Sequence, residues 1–213
     1  MSRHSHPRVR GVSRFTRLRA ILAGALVLGV GASVTLASWN DSETATATLT
    51  AGRFDVVGSI DGGVFGQHAS SSAAALSFAV PVSGMAPGMT SYALFSVKTA
   101  NPSVAGTIAV TALATNNTSG TGLGASLTYG VKAIASGATG ACTAAAFAAA
   151  TTTVVAAGSP LTASQATGAT LPVSANGADQ INYCFAVTLP TAADNTAQGK
   201  TSAPSWTFTA VSS

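Results

Sequence analysis

Charged side chains are scarce in this chain, at only 8% of its 213 residues, whereas soluble domains usually carry about 25%. Histidine is scarcer still: His4 and His6 lie near the start, and only His68 lies further along. A zinc centre needs several His, Cys or acidic ligands, and the chain contains no His-Glu-x-x-His motif. We therefore expect no metal site, no cofactor and no catalytic residues.

The acidic residues do not cluster either, and none has the spacing of a calcium-binding loop. A glycosidase needs two carboxylates across a cleft, and many serine hydrolases carry a Gly-x-Ser-x-Gly turn. No such turn occurs, and no acidic pair is evident among the six acids, which are Asp41, Glu43, Asp55, Asp61, Asp179 and Asp194. An enzyme is thus disfavoured, and a weak surface calcium site is left open.

Basic residues are concentrated at the N-terminus. After residue 37 only four basic residues remain against six acidic ones, a net charge of −2. The basic character of the whole chain therefore gives no reason to expect a nucleic-acid partner. The six early basic residues are Arg3, Arg8, Arg10, Arg14, Arg17 and Arg19.

An uncharged run of small and apolar residues, Ala20 to Ala37, follows the arginines. A basic segment, an apolar segment and a small-x-small ending are typical of an export signal. We predict an N-terminal signal helix that signal peptidase cuts between Ala37 and Ser38, which gives a secreted protein. The alternative is an uncleaved membrane anchor, which would be the only attachment of the chain to a membrane.

The residues around this junction resemble a known family. Thr35–Ser42 contains Trp39-Asn40-Asp41, and Ala47–Val56 ends in a Gly-Arg-Phe-Asp-Val turn. This order of signal, cut, aromatic-Asn-Asp element and strand resembles the SipW-dependent signal peptides of the TasA/camelysin family. The resemblance is strong over residues 20–60, looser over 80–110 and 180–211, and absent over 115–175. It implies a bacterial matrix or cell-surface protein, with Asp41 in peptidase recognition or a local turn.

Later segments match the family more loosely: Met85–Gly88 as a Pro-Gly turn, Asn101–Gly106 as an Asn-centred turn, and Gln198–Lys200 with Trp206–Phe208 as a closing strand. The camelysin branch is linked with metalloprotease activity. This chain lacks the histidines that would allow that activity to be carried over.

Short alternating segments separated by Gly, Pro and Asn turns predict an all-β fold. We expect a Greek-key or jelly-roll-like β-sandwich of about eight or nine short strands over residues 38–213, which follows the signal peptide of residues 1–37. A short helix is expected over Thr143–Ala150, and exposed loops over 116–124 and 158–168. The predicted strands are Ala45–Leu49, Phe54–Ile60, Leu76–Val82, Tyr92–Thr99, Thr107–Ala114, Leu127–Ala133, Thr151–Ala156, Ile181–Leu189 and Trp206–Ala210.

Cys142 and Cys184 are the only cysteines. An even number in an exported protein favours a disulfide. Because Cys184 alternates with the apolar positions of its strand, we expect the bridge on the outer face of that sheet.

Two functional interpretations remain. In the first, the protein is a structural subunit of surface or biofilm-matrix fibres, and residues 38–50 pair with a sheet edge of the next copy. That segment could equally fold into its own sheet. In the second, the protein is a monomeric adhesin or surface binding module, which would display spare aromatic side chains.

Overall fold

A computed structural model describes residues 14–34, 41–60, 62–79, 84–116, 122–134 and 142–213, and for 29–34 it describes only the backbone. The chain divides into two units, Met1–Leu49 and Thr50–Ser213, and each is described by itself. The predicted cut between Ala37 and Ser38 falls outside the described residues, as do Trp39 and Asn40 of the junction.

The first unit contains one helix, α1, over Arg14–Val34. None of the helices described is both long enough and apolar enough to cross a membrane. Residues 41–49 form neither helix nor strand and are exposed throughout, so the predicted strand Ala45–Leu49 is wrong for this chain. Alanine and threonine bury little apolar area, and the one large apolar side chain, Leu49, is 93% exposed.

The second unit is an antiparallel β-sandwich, which confirms the predicted all-β fold. A short helix, α2, spans Ala144–Ala149, and several 3-10 turns connect the strands. The eight strands described are β1 (Val56–Ser59), β2 (Thr90–Thr99), β3 (Gly106–Ala112), β4 (Thr128–Ile134), β5 (Thr152–Pro160), β6 (Leu171–Val173), β7 (Ile181–Thr188) and β8 (Trp206–Ser212).

The two sheets differ in size. The larger sheet has five strands in the order β1-β2-β7-β4-β5, and the smaller has three in the order β6-β3-β8. All of these pairs are antiparallel. Most neighbours in a sheet are distant in sequence, so the connections pass between the sheets. Because three strands face five, the smaller sheet cannot cover the whole inner face of the larger one.

Aromatic rings from both sheets meet in the core. Phe208 of β8 lies 4.7 Å from Phe95 and 4.9 Å from Tyr183, measured between ring centroids. Trp206 lies 4.8 Å from Phe185 and 5.6 Å from Tyr129. Such rings bury roughly 150–250 Å² each. Aromatic packing therefore supplies much of the burial in a chain rich in small side chains.

The central strand β7 has both of its faces covered. Tyr183 and Phe185 point into the core and are fully buried, while Cys184 points the other way and is also fully buried. On that outer side, Cys184 forms a disulfide with Cys142 beneath α2. This is the face predicted from strand parity. The outer cluster comprises Leu94, Ile134, Cys184, Tyr92, Cys142, Ala146, Phe147 and Ala150.

Asn116 departs from its predicted place in an exposed loop. Its side chain is buried; its Nδ2 donates to the carbonyls of Ser205 at 2.7 Å and Leu161 at 3.2 Å, and its Oδ1 accepts from the Ser205 amide at 2.7 Å. Two of these bonds hold Ser205, the residue before β8, in place, and the third ties Asn116 to Leu161. Asn116 therefore positions the start of the strand that packs the two sheets together.

Other boundaries also differ from the predictions. Residues 76–79 of the predicted strand Leu76–Val82 belong to no strand, and residues 80–82 fall outside the described residues. The alternating pattern is present, but none of the described backbone segments pairs with residues 76–79. In addition, β5 extends to Pro160, where a loop was expected, and the three-residue β6 was not predicted.

Two buried tyrosines make a matched pair for testing the core. The Tyr129 hydroxyl donates to the Ala163 carbonyl, whereas the Tyr183 hydroxyl is buried and has no hydrogen-bond partner among the residues that the structure describes. We predict that Tyr129→Phe lowers the free energy of unfolding by about 1 kcal/mol and that Tyr183→Phe leaves it unchanged or raises it. Urea denaturation of both variants measures this, and an equal loss in both would contradict the assignment.

The disulfide joins residues 42 positions apart. In the chain-entropy account, closing such a loop stabilises the fold by about 4 kcal/mol. We predict that the double variant Cys142→Ala/Cys184→Ala unfolds at a clearly lower urea concentration. Adding a reductant should move the natural chain toward the variant's midpoint and leave the variant itself unchanged. Identical midpoints for all samples would refute the stabilising role.

Candidate functional site

The most distinctive feature of the sandwich is the free edge of β8. Hydrogen bonds from the Leu113 amide to the Ser205 carbonyl and from the Ser213 amide to the Ala105 carbonyl continue the β3–β8 ladder at both ends. Bonded and non-bonded pairs alternate along an antiparallel ladder. Odd-numbered residues of β8 therefore bond to β3, and the backbone groups of Trp206, Phe208 and Ala210 point away from it.

The opposite side of β3 supports this assignment. Val110, which faces Phe208 in the register, directs its amide to Gln165 Oε1 and its carbonyl to the Gln165 amide, both at 3.0 Å. Its backbone is thus turned away from β8. Further along, β6 pairs with residues 106–108. The outer side of β3 is therefore satisfied, while that of β8 has no strand beside it among the described residues.

The other sheet edges are shorter or less regular. Strand β1 has four residues and is capped by a bridge between Gly58 and Gly66, and β6 has three residues. Strand β5 is long, but its register against β4 shifts twice, and such bulges weaken an edge as a template. Strand β8 has seven residues in unbroken register and carries no charge. Among the four edges compared, β8 is therefore the one best suited to pairing with an added strand.

A groove runs beside this edge, over the part of the larger sheet that the smaller one leaves bare. Its volume is about 1230 Å³. Its walls are mostly apolar, and Ser91 contributes a buried hydroxyl with no hydrogen-bond partner. The groove is lined by Phe95, Val97, Leu189, Trp206 and Phe208, among others, and by residues 73–76 and Phe78. An extended chain beside β8 would lie over this groove.

The N-terminal arm, residues 41–52, is followed by a segment, residues 53–55, that anchors the chain to the sandwich. The Val104 amide donates to the Arg53 carbonyl at 2.9 Å, and the Asp55 amide donates to Ser103 Oγ at 3.0 Å. The ring of Phe54 covers Gly106, where an added Cβ would lie 2.6 Å from it. Before this anchor, residues 41–52 are exposed and in no strand. Within them, residues 44–52 are uncharged.

The predicted junction is described only in part. Asp41 is exposed and lies in no regular element. Ala37, Ser38, Trp39 and Asn40 lie outside the described residues, so the cleavage site stays a prediction. The Cys142–Cys184 disulfide, by contrast, is present.

The polar side chains assemble no catalytic set among the described residues. His68 lies against Phe95, with ring centroids 6.3 Å apart. Asp179 accepts from Ser174, and Asp194 from Thr196, so each acid caps a local turn. In the described part of the chain, no group of three or more His, Cys, Asp or Glu side chains is placed to hold a metal ion.

Sequence reasoning did not identify β8 as the open edge. The alternation of Trp206, Phe208 and Ala210 predicted a strand, but an alternating strand has the same pattern at an edge as inside a sheet. The only available signal was the absence of charged residues over 201–213, since natural edge strands often carry charges as protection.

No model of a known protein family matches the chain, and a search of curated proteins gives no significant match.

The ion pair between Arg53 and Asp55 provides a test that depends on pH. Hydrogen bonding from Gln67 and the nearby Arg53 guanidinium, 2.5 Å away, hold the pKa of Asp55 below its ordinary value of 3.8. A carboxyl group whose pKa is lowered by folding stabilises the fold above its unfolded pKa and loses this effect as the pH falls through the folded pKa. We predict that Asp55→Asn reduces the decline in stability below about pH 4. Thermal unfolding of both chains between pH 2 and 6 tests this, and parallel curves would contradict it.

Proposed function

We propose that the protein is a secreted structural subunit of the cell surface or extracellular matrix, and that copies assemble when the N-terminal arm of one adds a strand to the next. The observation that carries the proposal is that two complementary features occur in the same chain. Residues 44–50 are exposed, uncharged and part of no strand that the structure describes, and β8 presents an uncharged edge of unbroken register.

The arm has the composition of a strand that needs a partner. Threonine favours extended backbone because its β-carbon is branched, and residues 44–50 read Thr-Ala-Thr-Ala-Thr-Leu-Thr. Small side chains bury too little surface to hold the arm by packing alone. Backbone hydrogen bonds to an open edge would supply what packing does not, and a single large residue, Leu49, would set the register.

The acceptor is chemically matched to such a strand. The backbone groups of Trp206, Phe208 and Ala210 point outward, as the ladder geometry requires. No lysine, arginine or acidic residue lies on β8 to repel an approaching strand. Because donor and acceptor are different surfaces of one chain, repeated addition gives a head-to-tail filament rather than a closed dimer.

Export is the other part of the proposal. The basic and apolar leader, the resemblance of the junction to the TasA/camelysin family and the Cys142–Cys184 disulfide all support an oxidising, extracytoplasmic destination. We propose no enzymatic role. The alternative of a monomeric adhesin gains no support, because none of the strongly exposed large apolar residues described in the sandwich is aromatic.

Strand addition predicts a specific pattern of filament formation. Proline at Ala47 and Thr48 removes two successive backbone donors, so one of them faces the acceptor in either register. We expect Ala47→Pro/Thr48→Pro to abolish filaments seen by electron microscopy, as deletion of residues 38–50 should. Valine preserves the donors and the preference for extended backbone, so Ala47→Val/Thr48→Val should still assemble. Filaments of normal length from the proline variant would refute the mechanism.

A further inference from the structure

Residues 73–79 have the side-chain pattern of a β-strand. Ala74, Leu76 and Phe78 are half-buried and pack against the core, while the four residues that alternate with them are exposed. A strict period of two over seven residues is the signature of a strand with one covered face. The sequence Ala-Ala-Ala-Leu-Ser-Phe-Ala is uncharged along its whole length.

The same segment lacks the hydrogen bonds of a strand. In the region described, the flanking turns are bonded, from the Ser72 amide to the Ala69 carbonyl at 2.8 Å and from the Met89 amide to the Ala86 carbonyl at 3.0 Å. Between them, no backbone group of residues 73–79 bonds to another described backbone group. Side-chain packing alone therefore holds this segment on the core.

The segment lines the groove beside β8 and packs against the core. Just before it, His68 contacts Phe95 on the inner face of β2, and Phe95 in turn contacts Phe208 of β8. Leu76 and Phe78 line the same groove as Trp206 and Phe208. Residues 73–79 thus lie over the area that a fourth strand of the smaller sheet would cover.

We propose that residues 73–79 occupy this fourth position and must move aside before another strand can pair with β8. The segment covers the groove with its side chains but leaves the β8 backbone groups unbonded. An incoming strand would form backbone hydrogen bonds with β8, which residues 73–79 do not form. It can therefore replace residues 73–79, even though both segments present small apolar residues. This inference adds a means of controlling assembly to the proposed function.

The test measures peptide binding by the full chain and does not require filaments. Fluorescein-labelled peptides of residues 73–79 and 44–50, each extended with lysines for solubility, are titrated and followed by fluorescence anisotropy. Leu76→Ser/Phe78→Ser removes the side chains that hold the segment, and Ala75→Ser/Ala79→Ser changes exposed positions to the same residue. Phe78→Ala is a milder variant, and near-UV circular dichroism confirms that each chain is folded.

We expect the Leu76→Ser/Phe78→Ser chain to bind the 73–79 peptide at least tenfold more tightly than the natural chain and the exposed control. Phe78→Ala should change the affinity in the same direction by less. Hydrogen exchange should show new protection within residues 206–212 on binding. A peptide with proline at position 77 should bind to none of the chains.

The outcomes separate this inference from the fibre proposal. The natural chain and the Leu76→Ser/Phe78→Ser chain could bind the 73–79 peptide with equal affinity, or no chain could bind it. Either result would overturn the proposal that residues 73–79 occupy the position beside β8. If the 73–79 peptide binds as expected but the 44–50 peptide fails to compete, the occupant stands and the N-terminal strand mechanism is refuted. If the 44–50 peptide binds equally to all chains, the edge accepts strands but residues 73–79 do not control it.

Discussion

The packing of Trp206 and Phe208 onto the larger sheet is the interaction on which the sandwich depends. These two side chains alone bring rings from β2, β4 and β7 into one aromatic cluster. The rest of the core is filled by smaller groups, many of them valine and alanine. Burial scales with apolar area, so a chain with few large side chains relies heavily on each of them.

The same strand combines two roles that most proteins keep apart. Its side chains close the core, and its outer backbone groups are left without a ladder. A central strand has both edges satisfied, and a protected edge strand carries charges or bulges. Strand β8 carries neither charges nor bulges, and Asn116 holds Ser205, the residue before the strand, through two hydrogen bonds. An edge that is held in place and carries no charge or bulge is preorganised for pairing, because the strand loses little conformational entropy when a partner binds.

Much of the fold could be predicted from residue patterns. Alternation located β2, β3, β4, β7 and β8, and strand parity placed Cys184 on the outer face. The two wrongly predicted strands share one physical cause. The alternation of side chains shows which face of a segment is buried, but it carries no information about which backbone groups pair. Residues 76–79 have the alternating side chains of a strand but belong to no strand. Residues 45–49 have a composition that favours extended backbone, and they also belong to no strand. The buried role of Asn116 depends on contacts with residues about 45 and 89 positions away, which no local pattern reveals.

The register of β8 also has a consequence for how the chain folds. Its partner β3 lies roughly 100 residues earlier in the sequence, so the β3–β8 ladder cannot form until all of the intervening chain is present. Pairings this distant form slowly, because the entropy of closing the loop is lost before the contacts form. Until then the rings of the larger sheet lack the contacts that Trp206 and Phe208 make with them. During synthesis the chain is therefore prone to aggregate until its last strand, β8, has paired with β3.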